Sequence, residues 1–310
     1  MRSPQALIGL DVGGTNIKAM AFTPDGQKLA EDLAPTGDDG TTAWRDNARD
    51  VFRKILTRCP ADYRVGVAAP GLAAADGSSI ISMPGKLSGV EGLVWQEWLG
   101  LSEPVPVLND AKAALLGERW LGAARGSDNV LLLTLGTGVG GAMIVDGHLL
   151  HGYSGRAGHL GHVSLDPDGP PDLVKTPGSL EDAIGEHSVR QRSKGRFAST
   201  RDLVMAFRSG SAEAAEVWLK SVKALAAALV GFMNSFDPEI IVLGGGIADA
   251  DDSLFEPLQK FLDAMEWHPQ GAKVRIVKAA LGGTAGAAGA AYAAKLAAAS
   301  GSNQLHLGRC

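Results

Sequence analysis

The feature that most constrains the fold lies close to the start of the chain, in the run Asp11-Val12-Gly13-Gly14-Thr15. Residues 6–10 before it and residues 17–22 after it are apolar stretches of strand length, so the run is predicted to turn one strand into the next. Two adjacent glycines let backbone N–H groups approach an anion closely, and the neighbouring carboxylate can hold the accompanying cation. The run therefore indicates a phosphate-binding hairpin, while a plain tight turn with an acidic corner remains open on these residues alone.

Composition narrows the class of protein. The chain has 310 residues, 45% of them hydrophobic and 20% charged, which suits two α/β domains of unequal size. Its formal net charge of -5 argues against nucleic acid or an anionic membrane surface as a partner. With Cys59 and Cys310 as the two cysteines, we expect no disulfide framework and a cytoplasmic location. We also expect no signal peptide and no membrane span, because the first strand begins at once and no apolar run is long enough.

The predicted elements alternate between strands and helices, and glycines gather where apolar runs end, which is typical of an α/β protein with functional loops. Two similar three-strand openings indicate an internal duplication. After the first opening the pattern predicts a helix near 42–59, strands at 63–68 and 105–108, and a helix at 110–124. The second opening has strands at 129–135 and 142–145 and a short strand after 147, followed by a helix at 212–235, a strand at 239–243, a helix at 254–265, a strand at 274–277 and a closing helix from 284.

The run Gly136-Thr137-Gly138-Val139-Gly140-Gly141 in the second opening satisfies the glycine pattern of a dinucleotide-binding loop. Such a loop needs a helix to begin at the glycines, so that the helix N-terminus meets the pyrophosphate. Residues 142–147 are instead apolar, β-branched and closed by a hairpin turn. We therefore predict that the glycines join two strands and form a second phosphate-binding loop.

Five motifs occur in order along the chain: residues 11–15, Asn109-Asp110, residues 135–141, Gly158-His159-Leu160-Gly161-His162 and Leu243-Gly244-Gly245-Gly246. Together they resemble the ROK family (repressor, open reading frame, kinase) of sugar kinases, and the resemblance extends to residues 286–290. It implies an α/β, actin-like ATPase (ribonuclease H-like) fold with two lobes and a central cleft. The expected small lobe is 1–111, closed by a C-terminal helix at 284–310, and the expected large lobe is 112–283.

Asp110 follows a predicted strand and opens a helix, where an acidic residue is also favoured by the helix dipole alone. As a catalyst it would accept the proton of an attacking sugar hydroxyl, since phosphoryl transfer requires orientation more than strong basicity. The resemblance implies that Asp110 is the general base and that Asn109 binds a sugar hydroxyl, with a helix cap as the alternative for Asn109.

The resemblance also implies ATP and Mg²⁺ as cofactors. Asp11 would position Mg²⁺ through water. The phosphates would be held by Gly13, Gly14, Thr15, Thr137 and Gly138, and the adenosine side by Gly244, Gly245 and Gly246. Lys18 either reaches a phosphate or has no role at the site, being exposed to solvent or paired within its strand.

The sugar side departs from the family pattern. Gly71, His162 and Glu181 match family sugar ligands, but His159 stands where the family has a glutamate and Gly85 where it has an asparagine. A neutral imidazole offers one donor and one acceptor where a carboxylate accepts twice, so the preferred sugar is left open.

Many members of the ROK family carry a zinc-binding cysteine knot just after the position that matches His162. Residues 163–181 contain no cysteine, so we predict no structural zinc. We expect the loop, which contains Asp166, Asp168 and Asp172, to be held by its prolines and by packing. A replacement metal site at His159 and His162 is the less favoured alternative.

The sequence therefore predicts an ATP-dependent hexose kinase that uses Asp110 as base and by resemblance phosphorylates the 6-hydroxyl. Polyphosphate stays open as an alternative phosphoryl donor, because it would need the same two phosphate-binding loops. The alternative is a catalytically inactive sugar-binding or regulatory protein of the same fold. A homodimer is expected by resemblance.

Overall fold

The computed structural model describes residues 4–300, which form two compact α/β units. The first unit comprises the chain up to Asp128, Met143–Gly158 and the segment from Ala279 onward. The second comprises Asn129–Ala142 and His159–Lys278. The described residues include two five-stranded sheets.

The strands, in chain order, are β1 (Ala6–Val12), β2 (Asn16–Phe22), β3 (Lys28–Pro35), β4 (Tyr63–Ala69), β5 (Leu72–Ala73), β6 (Ile80–Ser82), β7 (Val107–Asn109), β8 (Val130–Leu135), β9 (Val139–Val145), β10 (His148–Leu149), β11 (Ile240–Gly244) and β12 (Arg275–Lys278). The helices are α1 (Trp44–Leu56), α2 (Trp95–Leu99), α3 (Asp110–Leu121), α4 (Leu180–Ile184), α5 (Val189–Arg192), α6 (Thr200–Arg208), α7 (Ala212–Phe236), α8 (Asp252–Met265) and α9 (Ala285–Ser300). Within residues 4–300, no helix combines the length and the apolar character that crossing a membrane requires.

The sheet of the first unit has the order β3-β2-β1-β4-β7. The predicted hairpin is confirmed, because β1 and β2 pair antiparallel with Asp11 opposite Lys18. Strands β1, β4 and β7 run parallel, with Asp11 beside Ala68 and Ala69 beside Asn109. Their carboxyl ends therefore meet at one edge of the sheet, the edge where ligands bind in open α/β sheets.

Both faces of this sheet are covered, as the period of two along β1 requires. Ile8 and Leu10 belong to a core cluster that includes Val51 and Phe52 of α1. Leu7 belongs to a cluster on α9 with Ala287.

Helix α9 approaches its neighbours at backbone distance, which explains its alanine-rich and glycine-rich sequence. A Cβ atom at Gly289 would overlap the carbonyl oxygen of Ala113 on α3, and one at Gly9 would overlap the carbonyl oxygen of Ala287. Side chains larger than hydrogen at these positions would force the elements apart.

This packing places α3 in the first unit, whereas the lobes expected from the sequence, 1–111 and 112–283, divide the chain within α3. Because α3 packs along α9, the first unit extends to Asp128. The expected closing helix at 284–310 begins at Ala285, and its residues 301–310 lie outside the described residues.

The second sheet has the order β10-β9-β8-β11-β12. The prediction that the glycine run joins two strands is confirmed, because β8 leads through Gly136–Gly138 into β9 rather than into a helix. Strand β8 lies parallel to β11, with Thr134 beside Gly244. The loop that follows β8 and the loop that follows β11 therefore leave the sheet at the same edge.

Candidate active site

Hydrogen bonds, two of them from Thr36, hold the turn between β1 and β2 in place. Gly13 N–H donates to Asn16 O at 2.9 Å, while Thr36, 0% exposed, donates its hydroxyl to Gly13 O at 2.6 Å and its N–H to Thr15 O at 2.8 Å. Gly14 and Thr15 are exposed, and their N–H groups have no acceptor among the described residues. Unpaired N–H groups on a braced turn suit a phosphate oxygen. The brace itself was not predicted from the sequence.

Asp11 is the acidic residue of this turn and lies beside the start of α9. A Cβ atom at Gly286 would overlap the Asp11 carboxylate, so the glycine makes room for it. Desolvation and the negative charge of Asp110 raise the pKa of Asp11 to about 7, although Lys18 opposes the shift. Two nearby carboxylates that are costly to ionise together favour a bound cation, which fits the predicted Mg²⁺. Lys18 donates its Nζ to Gly283 O at 2.7 Å.

The junction between β7 and α3 carries the Asn109-Asp110 pair. Asn109, 7% exposed, accepts the N–H groups of Ala111 and Lys112 at 3.0 and 3.4 Å and donates its Nδ2 to Gly71 O at 2.8 Å. It therefore caps α3, and its predicted contact with a sugar hydroxyl stays a prediction. Gly71 has φ +100, and a Cβ atom there would overlap Ser82 O. Its role in the structure is to present its carbonyl to Asn109.

Asp110 itself is accessible to solvent, and its Oδ1 accepts the Ala111 N–H at 2.8 Å. Desolvation by the protein around it raises the pKa of Asp110, while hydrogen bonds from Ala111 and Asn109 and the charge of Lys86 lower it, and the net shift is upward. The result is an oriented carboxylate with more proton affinity than an ordinary aspartate, which suits a general base.

The loop between β8 and β9 is held by the segment around α4. Glu181 Oε2 accepts the Val139 N–H at 2.8 Å, and a Cβ atom at Gly138 would overlap that oxygen. His187 N–H and Nδ1 both contact Thr137 O, at 3.0 and 2.8 Å. Thr137 is exposed at the loop tip. Glu181, which the sequence predicted as a sugar ligand, thus commits one oxygen to bracing this loop, and its sugar contact stays a prediction.

A cavity of about 660 Å³ opens beside this loop in the second unit. The sequence predicted that Thr137, Gly245 and Gly246 would face a nucleotide. The cavity is lined on one side by Gly136, Thr137, Gly246 and Ile247 and on the other by Val204, Met205 and Arg208 of α6.

The three glycines at the end of β11 differ in their surroundings. Gly244 is buried as the last residue of the strand, and Gly245 has φ +85 with no room for a Cβ atom against Leu135. Gly246 faces the cavity. Met205 of α6, which also lines the cavity, is 56% exposed, and α6 was not predicted from the sequence.

The predicted sugar-side histidines lie at the two ends of a single 3₁₀ turn, Leu160–His162: His159 directly precedes the turn and His162 is its last residue. The rings of His159 and His162 are nearly parallel, with centroids 6.5 Å apart. His162 Nδ1 lies 2.8 Å from Asp172 Oδ2.

The Asp172 carboxylate is a hydrogen-bonding centre of the following loop, a feature that the expectation of prolines and packing did not include. Among residues 4–300, no group of three or more His, Cys, Asp or Glu side chains is arranged to hold a metal ion. A replacement metal site at His159 and His162 gains no support from this arrangement.

The model of the family described as "ROK family" matches residues 7–297. The chain belongs to the ROK family. It is 33% identical to the glucokinase of Halalkalibacterium halodurans over 90% of this chain and 92% of that protein.

Two solved structures are similar along nearly their whole length. The ROK hexokinase of Thermus thermophilus has a TM-score of 0.83 at 30% identity and covers 95% of this chain and 99% of its own. A ROK family glucokinase of Streptomyces griseus, in complex with glucose and AMPPNP, has a TM-score of 0.74 at 26% identity and covers 94% and 99%. The predicted family and the predicted actin-like ATPase fold are confirmed.

Proposed function

We propose that this member of the ROK family transfers the γ-phosphate of ATP to the 6-hydroxyl of a hexose, with Asp110 as general base. The coarser prediction, an ATP-dependent hexose kinase, is confirmed by the glucokinase and hexokinase similarities. The finer proposal is supported above all by Asp110, a solvent-accessible carboxylate whose Oδ1 is oriented by the N–H of Ala111 in the first turn of α3 and whose pKa is raised.

The proposed step is a single displacement at phosphorus. The hydroxyl oxygen of the sugar forms a new bond to the γ-phosphorus, its proton passes to Asp110, and the bond from the γ-phosphorus to the β,γ-bridging oxygen of ATP breaks to release ADP. Asp110 needs only to be ionised and correctly placed, which the N-terminus of α3 favours.

The chain's other residues bind and orient the reactants. We assign the phosphates to the N–H groups of Gly14 and Thr15 in the first unit and to the loop of Thr137 and Gly138 in the second. Asp11 would hold Mg²⁺ through water, and the ion would neutralise phosphate charge. The cavity lined by α6 suits an adenine base, which favours ATP over polyphosphate as the donor.

The experiment is a panel of hexoses with Mg²⁺ and either ATP or polyphosphate, measuring ADP or phosphorylated sugar and locating the phosphate by NMR. The panel includes glucose, mannose, allose, fructose, N-acetylglucosamine and N-acetylmannosamine, because His159 and Gly85 leave the sugar open. Turnover with phosphate on the 6-hydroxyl supports the proposal, and phosphate on another carbon refutes the assigned hydroxyl.

A second function, a catalytically inactive sugar-binding regulator, is favoured by His159 at a position where the resemblance implies a glutamate. Tight sugar binding by calorimetry without turnover on any sugar would support it. Homodimerisation, the cytoplasmic location and the lack of nucleic-acid partners stay predictions.

A further inference from the structure

Asp172, in the loop that follows the two histidines, is not among the site residues predicted from the sequence, but it contacts one of them. Its side chain is 0% exposed, while the His162 side chain that it contacts is 23% exposed. The Asp172 carboxylate is covered by its own loop, and its Oδ1 accepts the N–H groups of Val174 and Thr176 at 2.9 and 2.8 Å. Its Oδ2 lies 2.8 Å from His162 Nδ1.

These hydrogen bonds decide the charge of the carboxylate. Desolvation acts to raise the pKa of Asp172, but the hydrogen bonds with His162, Thr176, Ser179 and Val174 outweigh it, and the pKa is lowered. Asp172 is therefore ionised near neutral pH, and an ionised carboxylate only accepts hydrogen bonds.

The Asp172 carboxylate, as an acceptor that faces Nδ1, determines which nitrogen of the imidazole carries the proton. Nδ1 must carry a proton to bond with Asp172, so in the neutral ring Nε2 carries none and is an acceptor. Nε2 of His162 has no partner among the described residues. The neutral ring thus offers one acceptor, Nε2, on a residue that the sequence predicted to be a sugar ligand.

We propose that Asp172 is a positioning residue that fixes the Nδ1–H tautomer and the ring orientation of His162, so that Nε2 accepts a hydrogen bond from a hexose hydroxyl. This inference rests on the proposed function, because it deepens how the same site recognises sugar. Asp172 itself touches no substrate and acts through His162.

The decisive variant is Asp172→Asn, which keeps the shape of the side chain. Its amide oxygen can still accept the Val174 and Thr176 N–H groups, which keeps the loop in place, but its NH₂ then faces His162 Nδ1. That nitrogen must become an acceptor, and the proton moves to Nε2. The matched control is Asp168→Asn in the same loop, because Asp168 is exposed.

The tautomer is read by ¹⁵N NMR of the histidine rings, with His162→Gln used to assign the signals. We expect a protonated Nδ1 in the wild-type protein and in Asp168→Asn, and a protonated Nε2 in Asp172→Asn. A neutral wild-type His162 with its proton on Nε2 would overturn the proposal without any variant of Asp172.

Calorimetry with the hexose of the panel that binds most tightly measures the consequence for recognition. We expect Asp172→Asn to raise the Kd about fivefold to tenfold, the loss of roughly one hydrogen bond. In the His162→Gln background the same change should add nothing, as a double-mutant cycle requires. An equal loss in both backgrounds would mean that Asp172 only stabilises its loop, which refutes the positioning role.

Neither measurement needs turnover, so the two proposals fail separately. The expected tautomer in a protein that phosphorylates no sugar would refute the kinase and leave the assignment of Asp172 standing. An active kinase with the opposite tautomer would do the reverse.

Discussion

Replacing Thr36 by valine should weaken both the fold and the nucleotide site, since this buried residue braces the β1–β2 turn. Valine keeps the shape of threonine but cannot donate to Gly13 O, now bonded at 2.6 Å. The backbone bond from Thr36 N–H to Thr15 O, 2.8 Å, remains. The change therefore removes one hydrogen bond and leaves one carbonyl without its partner.

The magnitude follows from that single loss. Leaving a buried carbonyl without a partner costs about 1 to 3 kcal/mol, and the added methyl group of valine offsets roughly 0.5 to 1 kcal/mol. We expect the free energy of unfolding to fall by about 1 to 2 kcal/mol, which lowers Tm by about 2 to 5 °C. Because the turn carries the Gly14 and Thr15 N–H groups, we expect the KM for ATP to rise about fivefold, a cost of about 1 kcal/mol.

The assay is thermal unfolding together with steady-state kinetics at saturating sugar. The control is Thr57→Val, which removes the exposed hydroxyl bonded to Lys54 O at 2.9 Å. An unchanged KM for ATP beside the lowered Tm would refute the link between the brace and phosphate binding. An unchanged Tm would refute the energetic argument itself.

Three further predictions concern other parts of the structure. Glu118→Ala should lower the free energy of unfolding, measured by denaturant titration, by about 3 kcal/mol or more. The buried carboxylate accepts the N–H groups of Ala123, Ala280 and Leu281 at 2.7, 3.1 and 2.8 Å, and all three bonds would be lost. The control Glu97→Ala, at an exposed residue, should cost little. Gly289→Ala should destabilise the first unit by about 2 kcal/mol, since its methyl group overlaps the Ala113 carbonyl, and a neutral result would refute the close approach. Burial acts to lower the pKa of His187, but its bonds to Asp182 and Thr137 raise it above 6.5. The stability of the wild type over His187→Gln should therefore be greatest below pH 6.5 and shrink as pH rises from there through the folded pKa; a flat difference from pH 5 to 9 would contradict this.

The elements that sequence patterns predicted are those whose signals are local. The Asp11 to Thr15 turn lies between two apolar strands, and the glycines at 136–138 precede a β-branched run, so both are readable within about ten residues. The placement of Asp110 at a strand–helix junction is equally local.

The features that were missed depend on contacts between distant parts of the chain. Thr36 meets Gly13 across a hairpin, and Glu181 meets Val139 42 residues away. The sequence shows Asp172 as one of several acidic residues in its loop. That Asp172, and not Asp166 or Asp168, contacts His162 depends on the geometry of the turn. No periodicity records which of several like side chains a fold will bury.

The central claim is that Asp110 is the base of a phosphoryl transfer, and Asp110→Asn tests it most directly. We would measure kcat on the sugar that the wild type turns over fastest, and sugar Kd by calorimetry, beside the exposed control Asp50→Asn. We expect a loss of kcat of about 100-fold to 10,000-fold with sugar Kd nearly unchanged, and no effect of the control. A variant that keeps kcat within tenfold of the wild type while binding sugar normally would contradict it.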